Sequence, residues 1–287
     1  MSDIASISGI DIANVAKVSG VSKTSMAKFG GMSRASSSPS VITDNLFLWF
    51  GPDDVTGSTA NDKNGGSVGA VMTNGASVVT TLRSAGSFYT DGVNDRILAA
   101  YSTSQLPSTT TWPASIEAWL YPSVGGKNLN VISFNDDASG TDWLRLMLDK
   151  RNSNEITYHQ FYADGGGYYQ WVRRDVDFPT VNGSDWVYMS ATFELVNDAT
   201  LITAYINGVA VGTATTSFTG SRNVPTWANQ TTGFNLGINY LTRVYRGNRI
   251  HGYYGQAHTG DVRLYTDKLT AAEILNNYNV EKTSYGH

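Results

Sequence analysis

From residue 42 onward, apolar and polar positions alternate in short runs separated by turn residues. Leu46-Phe-Leu-Trp-Phe50, Ser115-Ile-Glu-Ala-Trp-Leu-Tyr121, Trp143-Leu-Arg-Leu-Met-Leu148 and Trp186-Val-Tyr-Met-Ser-Ala-Thr-Phe193 all have strand length. In the second run Ile116, Ala118 and Leu120 share one face and Glu117, Trp119 and Tyr121 the other. Leu201-Ile-Thr-Ala-Tyr-Ile206 leads into Asn207-Gly208, the strongest short-range hairpin signal, and Val209-Ala-Val-Gly-Thr213 returns. Many short strands with turns between them predict a β-sandwich or barrel, with Trp119, Trp186 and Phe193 in or beside its interior. The convincing helical signal is short and terminal, over residues 270–279, where Thr270 and Glu273 have capping-box spacing. Such a helix is expected to plug the edge or end of the sandwich.

The first forty residues are patterned differently. Residues 7–17 and 18–28 align without a gap: Ser8 with Ser19, Gly9 with Gly20, Ala16 with Ala27 and Lys17 with Lys28, eleven residues apart. A degenerate third copy begins at Phe29, with Gly31 and Met32 in register. Apolar residues at Ile7, Ile10, Ile12 and Val15 fit neither a clean helix nor a clean strand. So few copies cannot make a self-sufficient solenoid, because each unit must bury its apolar side against something else. A polar, Ser-rich, Pro-containing stretch follows up to Ser40 and reads as a linker. The predicted division is an arm and linker over residues 1–40 and a β-sandwich over 41–287.

Composition agrees with an all-β body and narrows its partners. Charged residues make up 15% of the 287, with 29 Gly and 16 Tyr, a turn-rich and strand-rich balance. A formal charge of −4 argues against a nucleic-acid partner. With no cysteine, disulfides, thiol nucleophiles and Cys-ligated zinc are excluded. No apolar run of about 18 residues predicts a membrane span. The first ten residues lack a basic segment followed by an apolar run, so the expectation is a chain made and folded in the cytoplasm.

Several motifs carry a resemblance. Asp91-Gly-Val-Asn-Asp95, Ser115-Ile-Glu-Ala-Trp119, Trp186-Val-Tyr-Met-Ser-Ala-Thr192, Ala204-Tyr-Ile-Asn-Gly-Val-Ala-Val-Gly212, Gly260-Asp-Val-Arg-Leu-Tyr265 and Leu269-Thr-Ala-Ala-Glu-Ile274 follow one another in the order of laminin G-like domains. Residues 44–280 thus resemble the concanavalin A-like lectin/glucanase superfamily. The resemblance implies a jelly-roll sandwich of two antiparallel sheets, in a group that includes sugar binders, adhesion modules and glycosidases. The N-terminal repeat resembles the leading segments of structural proteins from tailed bacteriophages, especially marine ones.

Glycosidase chemistry needs two carboxyl groups about 5–10 Å apart, which hydrolases of the resembled superfamily carry on one strand as Glu-x-Asp-x-Glu. That motif is absent, and Glu117, Glu155 and Glu194 each lack a carboxylate two positions away on the same face. The expectation is a non-enzyme in which Glu117 and Glu194 have no catalytic role. His159, His251, His258 and His287 show no metal-ligand spacing and read as ordinary surface or half-buried histidines. Calcium is the ion the resemblance implies, though no cofactor is required. Its candidate ligands are Asp136, Asp137 and Asp142, in a loop that resembles in position the acidic loop of pentraxins, with a polar hairpin turn as the alternative. Asp91–Asp95 is a second acidic group, read as a capped turn.

Sugar recognition calls for exposed aromatic rings beside hydrogen-bonding partners. Tyr168, Tyr169, Trp171 and Arg173 beside three glycines form one candidate platform, and Tyr240 and Tyr254 belong to another. Cross-strand packing is the alternative for both. Together these readings predict a phage virion structural protein: a decoration, head fibre or tail-associated appendage, assembled in the host cytoplasm. Residues 1–40 would anchor it to a capsid or tail protein while the sandwich meets a host-surface glycan. Self-association through Ile7, Ile10, Ile12, Val15, Val18 and Val21 is expected, and resemblance to phage fibres makes three the expected copy number. A cellular carbohydrate-binding or adhesion module, or a glycosidase with an unusual acid pair, are the alternatives.

Overall fold

In the first unit, Met1–Ser40, two small ladders repeat one another. Strand β1 (Ser6–Ile7) pairs with β2 (Ile10–Asp11), and β3 (Lys17–Val18) pairs with β4 (Val21–Ser22). Ile7 is opposite Ile10 in the first and Val18 opposite Val21 in the second. The apolar spacing of three that fits no regular period is therefore a cross-strand pair, with Ser-Gly standing between the strands in each sequence copy.

The computed structural model describes these four strands and residues 39–105, 113–122, 129–136, 145–151, 155–163, 169–177, 185–196, 199–217, 234–238, 240–245, 248–254 and 256–287. The second unit, Val41–His287, opens with β5 (Leu46–Thr56), β6 (Thr59–Asp62), β7 (Ala70–Thr73), β8 (Ser77–Val79), β9 (Ser87–Asp91) and β10 (Arg96–Tyr101). There follow β11 (Pro113–Pro122), β12 (Leu129–Asp136), β13 (Arg145–Arg151), β14 (Glu155–Ala163) and β15 (Tyr169–Asp177). The last group is β16 (Val187–Val196), β17 (Ala199–Ile206), β18 (Val209–Ser217), β19 (Phe234–Ile238), β20 (Tyr240–Tyr245), β21 (Asn248–Tyr254) and β22 (Gln256–Tyr265), before helix α1 (Ala271–Glu281).

All described pairings in this unit are antiparallel, and one hydrogen-bonded path runs β15-β14-β13-β12-β19-β10-β7-β6-β5-β22-β11-β16-β17-β18. β5 links the two halves: Leu46, Leu48, Trp49 and Phe50 pair with β22, while Phe50 and, after a register break, Val55 and Thr56 pair with β6. Both halves of the path feed one core. Ile97, Ala99, Leu236 and Ile238 join Leu48, Phe50, Ile116, Ala118, Met189, Phe193, Ile202, Val262 and Leu264, all at most 1% exposed. This is the layered antiparallel arrangement of a jelly roll, with one short α-helix, C-terminal, among the described residues.

The opposite face of β11 is buried too. Trp119, Trp186, Tyr188, Tyr205 and Tyr265 form a second apolar cluster with Leu269, Ile274 and Tyr285. Helix α1 and the 3-10 turn Lys282–Tyr285 cover it, so the helix lies on a sheet face and does not plug an edge or end. The physical reason is that Trp119 and its neighbours are too apolar to leave in water. Trp119 and Trp186 accordingly sit in this second cluster and Phe193 in the first.

Two turns set up this arrangement. Asn207 and Gly208, at φ of 50° and 79°, close the β17–β18 hairpin as a turn with both central residues left-handed. Gly208 also lets α1 approach, since a Cβ there would lie 2.8 Å from Leu275 Cδ1. At the start of α1, the Thr270 side chain accepts from the Glu273 N–H and Glu273 returns a bond to the Thr270 N–H at 2.7 Å, the expected capping box. Among the described residues no helix is long and apolar enough to cross a membrane.

Candidate functional site

The positions singled out for sugar binding fall on two separate ladders. Tyr169, Trp171 and Arg173 occupy alternate positions of β15, the terminal strand of the path, opposite Ala163, Phe161 and His159 of β14. Tyr240 and Tyr254 are direct partners in the β20–β21 ladder. The register thus keeps Tyr240 with Tyr254 and joins neither to β15; Tyr168 lies outside the described residues. Of the calcium candidates, Asp136 ends β12 opposite Phe234, and Asp137 and Asp142 lie outside the described residues. Ile12 and Val15 of the arm lie outside them as well.

Asp91–Asp95 is a capped turn. Asp91 Oδ1 accepts from the Val93 N–H and Asp95 Oδ2 from the Asp91 N–H, both at 2.8 Å, around Gly92 at φ 77°. Among the described residues, no group of three or more His, Asp or Glu side chains is placed to hold a metal ion.

Under α1 the structure assembles a charged cluster that no local spacing announces. Arg263, 1% exposed, donates from Nη1 to Glu117 Oε2 at 3.0 Å and from Nη2 to Glu281 Oε1. Asn277 Nδ2 donates to Glu117 Oε2 at 3.0 Å, and Trp119 Nε1 to Glu281 Oε2 at 2.8 Å. Beside them Asp261, 3% exposed, accepts from Lys63 Nζ at 2.9 Å, Trp49 Nε1 at 2.7 Å and the Tyr285 hydroxyl at 2.7 Å, with Arg83 at 3.5 Å. Asp261 returns its own N–H to the Tyr285 oxygen at 2.8 Å. A Cβ at Gly260 would collide with that tyrosine ring, so glycine is needed for the close approach.

Three buried carboxylates are thus matched by Arg263, Lys63 and Arg83. Burial pushes the Asp261 carboxyl up, but Lys63, Arg263 and the Tyr285 hydroxyl outweigh it and hold it below the ordinary range. For Glu281 burial prevails over Arg263, and its carboxyl is raised. Glu117 and Glu281 are brought together on the one guanidinium of Arg263, Glu281 at the end of α1 and Glu117 fully buried beneath that helix, with Asn277 and Trp119 supplying further donors. Glu194, by contrast, pairs with Lys268 at the surface.

Beyond the edge of this cover the same face carries an open row of rings. Tyr89 of β9 is directly opposite His258 of β22, and His258 directly opposite Tyr121 of β11. Ring centroids are 4.9 Å apart for Tyr89 and His258, 6.2 Å for His258 and Tyr121, and 5.6 Å for Tyr121 and Trp186. Tyr89, His258 and Tyr121 are half-exposed, whereas Trp186 is 5% exposed and ends the row. His258 Nδ1 lies 3.0 Å from Ser87 Oγ, itself 3.3 Å from the Val79 carbonyl. The sequence places Tyr121 on the face of Glu117 and Trp119 and reads His258 as an ordinary histidine; their convergence with Tyr89 depends on strand register between distant segments.

Burial of the ring lowers the pKa of His258 below its ordinary 6.5. A depressed pKa means that the unfolded chain takes the proton first, so this contribution to stability is complete above about pH 6.5 and is lost as pH falls through the folded-state pKa. The expected result is a Tm that declines on acidification below pH 6.5 and declines less in His258→Gln. Parallel Tm profiles of the two proteins in that window would refute it.

No curated protein matches the chain in sequence. Solved structures do match in fold. The binding domain of botulinum neurotoxin serotype D/C is 12% identical with a TM-score of 0.54, over 82% of this chain and 52% of that one. A type C neurotoxin chain, from a structure reporting that cell entry depends on two ganglioside molecules, is 14% identical with a TM-score of 0.53, over 82% and 51%. The Trypanosoma rangeli sialidase in complex with a difluoro sugar is 13% identical with a TM-score of 0.55, over 86% and 34%. The chain therefore spans about half the length of the neurotoxin chains and a third of the sialidase chain, and at these identities the likeness is one of fold. Sequence comparison goes further, since residues 91–275, well over half the chain, match the laminin G-like family described as the concanavalin A-like lectin/glucanases superfamily. The chain belongs to that superfamily.

Proposed function

We propose that this protein is a non-catalytic adhesion module of a bacteriophage particle, its lectin-like sandwich meeting a surface glycan and its N-terminal arm holding it to the virion. The observation that carries the reading is the two-part organisation. An eleven-residue repeat folded as two matching ladders, β1–β2 and β3–β4, stands in a unit separate from the lectin-like body. Ladders of two residues per strand are too short for independent stability, and the expectation is that a partner completes them along Ile7, Ile10, Val18 and Val21. That partner is a capsid or tail protein, or the arms of sister chains in a homo-oligomer, with three copies the expected number. Several weak glycan sites on one particle raise avidity by about 10²–10⁴, which suits an appendage. The ganglioside dependence reported for the type C neurotoxin supports glycan binding by this fold. The non-catalytic reading is supported by Glu117 and Glu281 both being tied to Arg263, Glu117 fully buried and Glu281 held at the end of α1.

The test is incorporation. The full chain and a variant lacking residues 1–40 are each expressed during phage production, and purified particles are assayed for both. The full chain is expected to co-purify and the shortened one to remain free as a folded sandwich. Incorporation of the shortened chain at the level of the full one sinks the anchoring role.

A further inference from the structure

We propose that Tyr89, His258 and Tyr121 form a glycan-binding platform on the outer face of β9, β22 and β11, with His258 Nε2 accepting a hydrogen bond from a sugar hydroxyl. This rests on the glycan-adhesion reading and gives it a site.

Three direct cross-strand partners place their rings in one row. At about 4.8 Å between strands the row is about 10 Å long, which suits two linked sugar rings. The neighbouring positions on β11, Glu117 and Trp119, are fully buried by the C-terminal segment, but the cover ends there and Tyr121 is half-exposed. A half-exposed row of three rings offers apolar faces to the C–H side of a sugar.

The polar complement separates a sugar from a purely apolar occupant. Ser87 is fully buried and its hydroxyl carries one hydrogen. Directed to the Val79 carbonyl, that hydrogen leaves Ser87 Oγ as acceptor for His258 Nδ1–H. In the neutral ring Nε2 is then an acceptor, and among the described residues it has no partner. The burial that lowers the histidine pKa keeps this state at neutral pH. The hydroxyls of Tyr89 and Tyr121 likewise have no partner among the described residues and supply a donor on each side. Acceptor, flanking donors and ring faces together match the hydroxyls and C–H face of a pyranose.

The experiment is an NMR titration of the full chain, labelled at His and Tyr, with chitotriose, cellotriose, maltotriose and 3′-sialyllactose. Binding by at least one of them is expected to shift the His258 ring signal, identified by its loss in His258→Phe, together with the Tyr89 and Tyr121 ring signals. Tyr121→Ala is expected to weaken that binding about tenfold or more, and Tyr121→Phe, which keeps the ring face, much less. His258→Phe, which keeps a ring but removes the acceptor, is expected to weaken it as well, with the unshifted core signals showing that both variants fold. A sugar that binds with these signals unmoved and Tyr121→Ala neutral overturns the platform while leaving glycan adhesion in place. If none of the four binds, the platform and the glycan reading both fall.

Discussion

Replacing Arg263 with methionine is expected to destabilise the sandwich by about 3–5 kcal/mol, the usual range for removing one partner of a buried ion pair. Arg263 serves two carboxylates through two different nitrogens. Lys63 and Arg83 cannot take over, because both are engaged with Asp261. Methionine fills most of the volume, so the loss reports two uncompensated buried charges and not a cavity. The sign of the pH dependence provides a second readout. The Glu281 carboxyl is already raised by burial, and losing the cation raises it further. A carboxyl with a raised folded-state pKa loses stability as pH rises through that value, so the variant should gain relative to wild type on acidification from neutral. Adding Glu117→Gln and Glu281→Gln to Arg263→Met should recover much of the loss. Urea unfolding followed by tryptophan fluorescence measures all of this, and a loss below about 1 kcal/mol for the single variant would show that the carboxylates are held by something other than the guanidinium.

Strand segments and local closures were legible in the sequence because they depend on neighbours. Alternation marked β5, β11, β16 and β17, Asn207-Gly208 marked the hairpin, and Thr270 with Glu273 marked the start of α1. The arm was legible as a repeat but not as ladders, since a pair such as Ile7 and Ile10 closes over too few residues to establish a period. The position of α1 was misread for a different reason. Glu117, Trp119 and Tyr121 were seen to share a face, but that face holds the second buried cluster, and only the cross-strand company of Tyr188 and Tyr265 makes it need a cover. The charged cluster was invisible because its members meet across 146 residues for Arg263 and Glu117 and 198 for Lys63 and Asp261. The ring row fails locally in the same way: Tyr89, Tyr121 and His258 become neighbours only through the registers of β9, β22 and β11.

Trp119→Ala is expected to cost about 3–5 kcal/mol, as for other fully buried tryptophans, and to loosen the C-terminal segment before the main core. The indole stacks on Tyr285 with centroids 4.1 Å apart and planes 7° from parallel, and also meets Tyr188 at 5.1 Å and Tyr278 at 5.8 Å. Its Nε1 donates to Glu281, so one side chain joins β11 to both α1 and the 3-10 turn. Removing it leaves Tyr285 without its stacking partner, and Tyr285 is what the Asp261 amide donates to. Hydrogen exchange at Asp261 should therefore accelerate in Trp119→Ala by more than at Ile116 or Ala191, which lie in the other cluster. Trp119→Phe separates the two contributions: it keeps a ring against Tyr285 and loses only the bond to Glu281, worth about 1.5–3 kcal/mol for a charged acceptor, so the Asp261 amide should stay largely protected. Equal exchange rates at Asp261 in wild type and Trp119→Ala would mean that the charged cluster alone holds the C-terminal segment down, and that the indole only fills space beneath it.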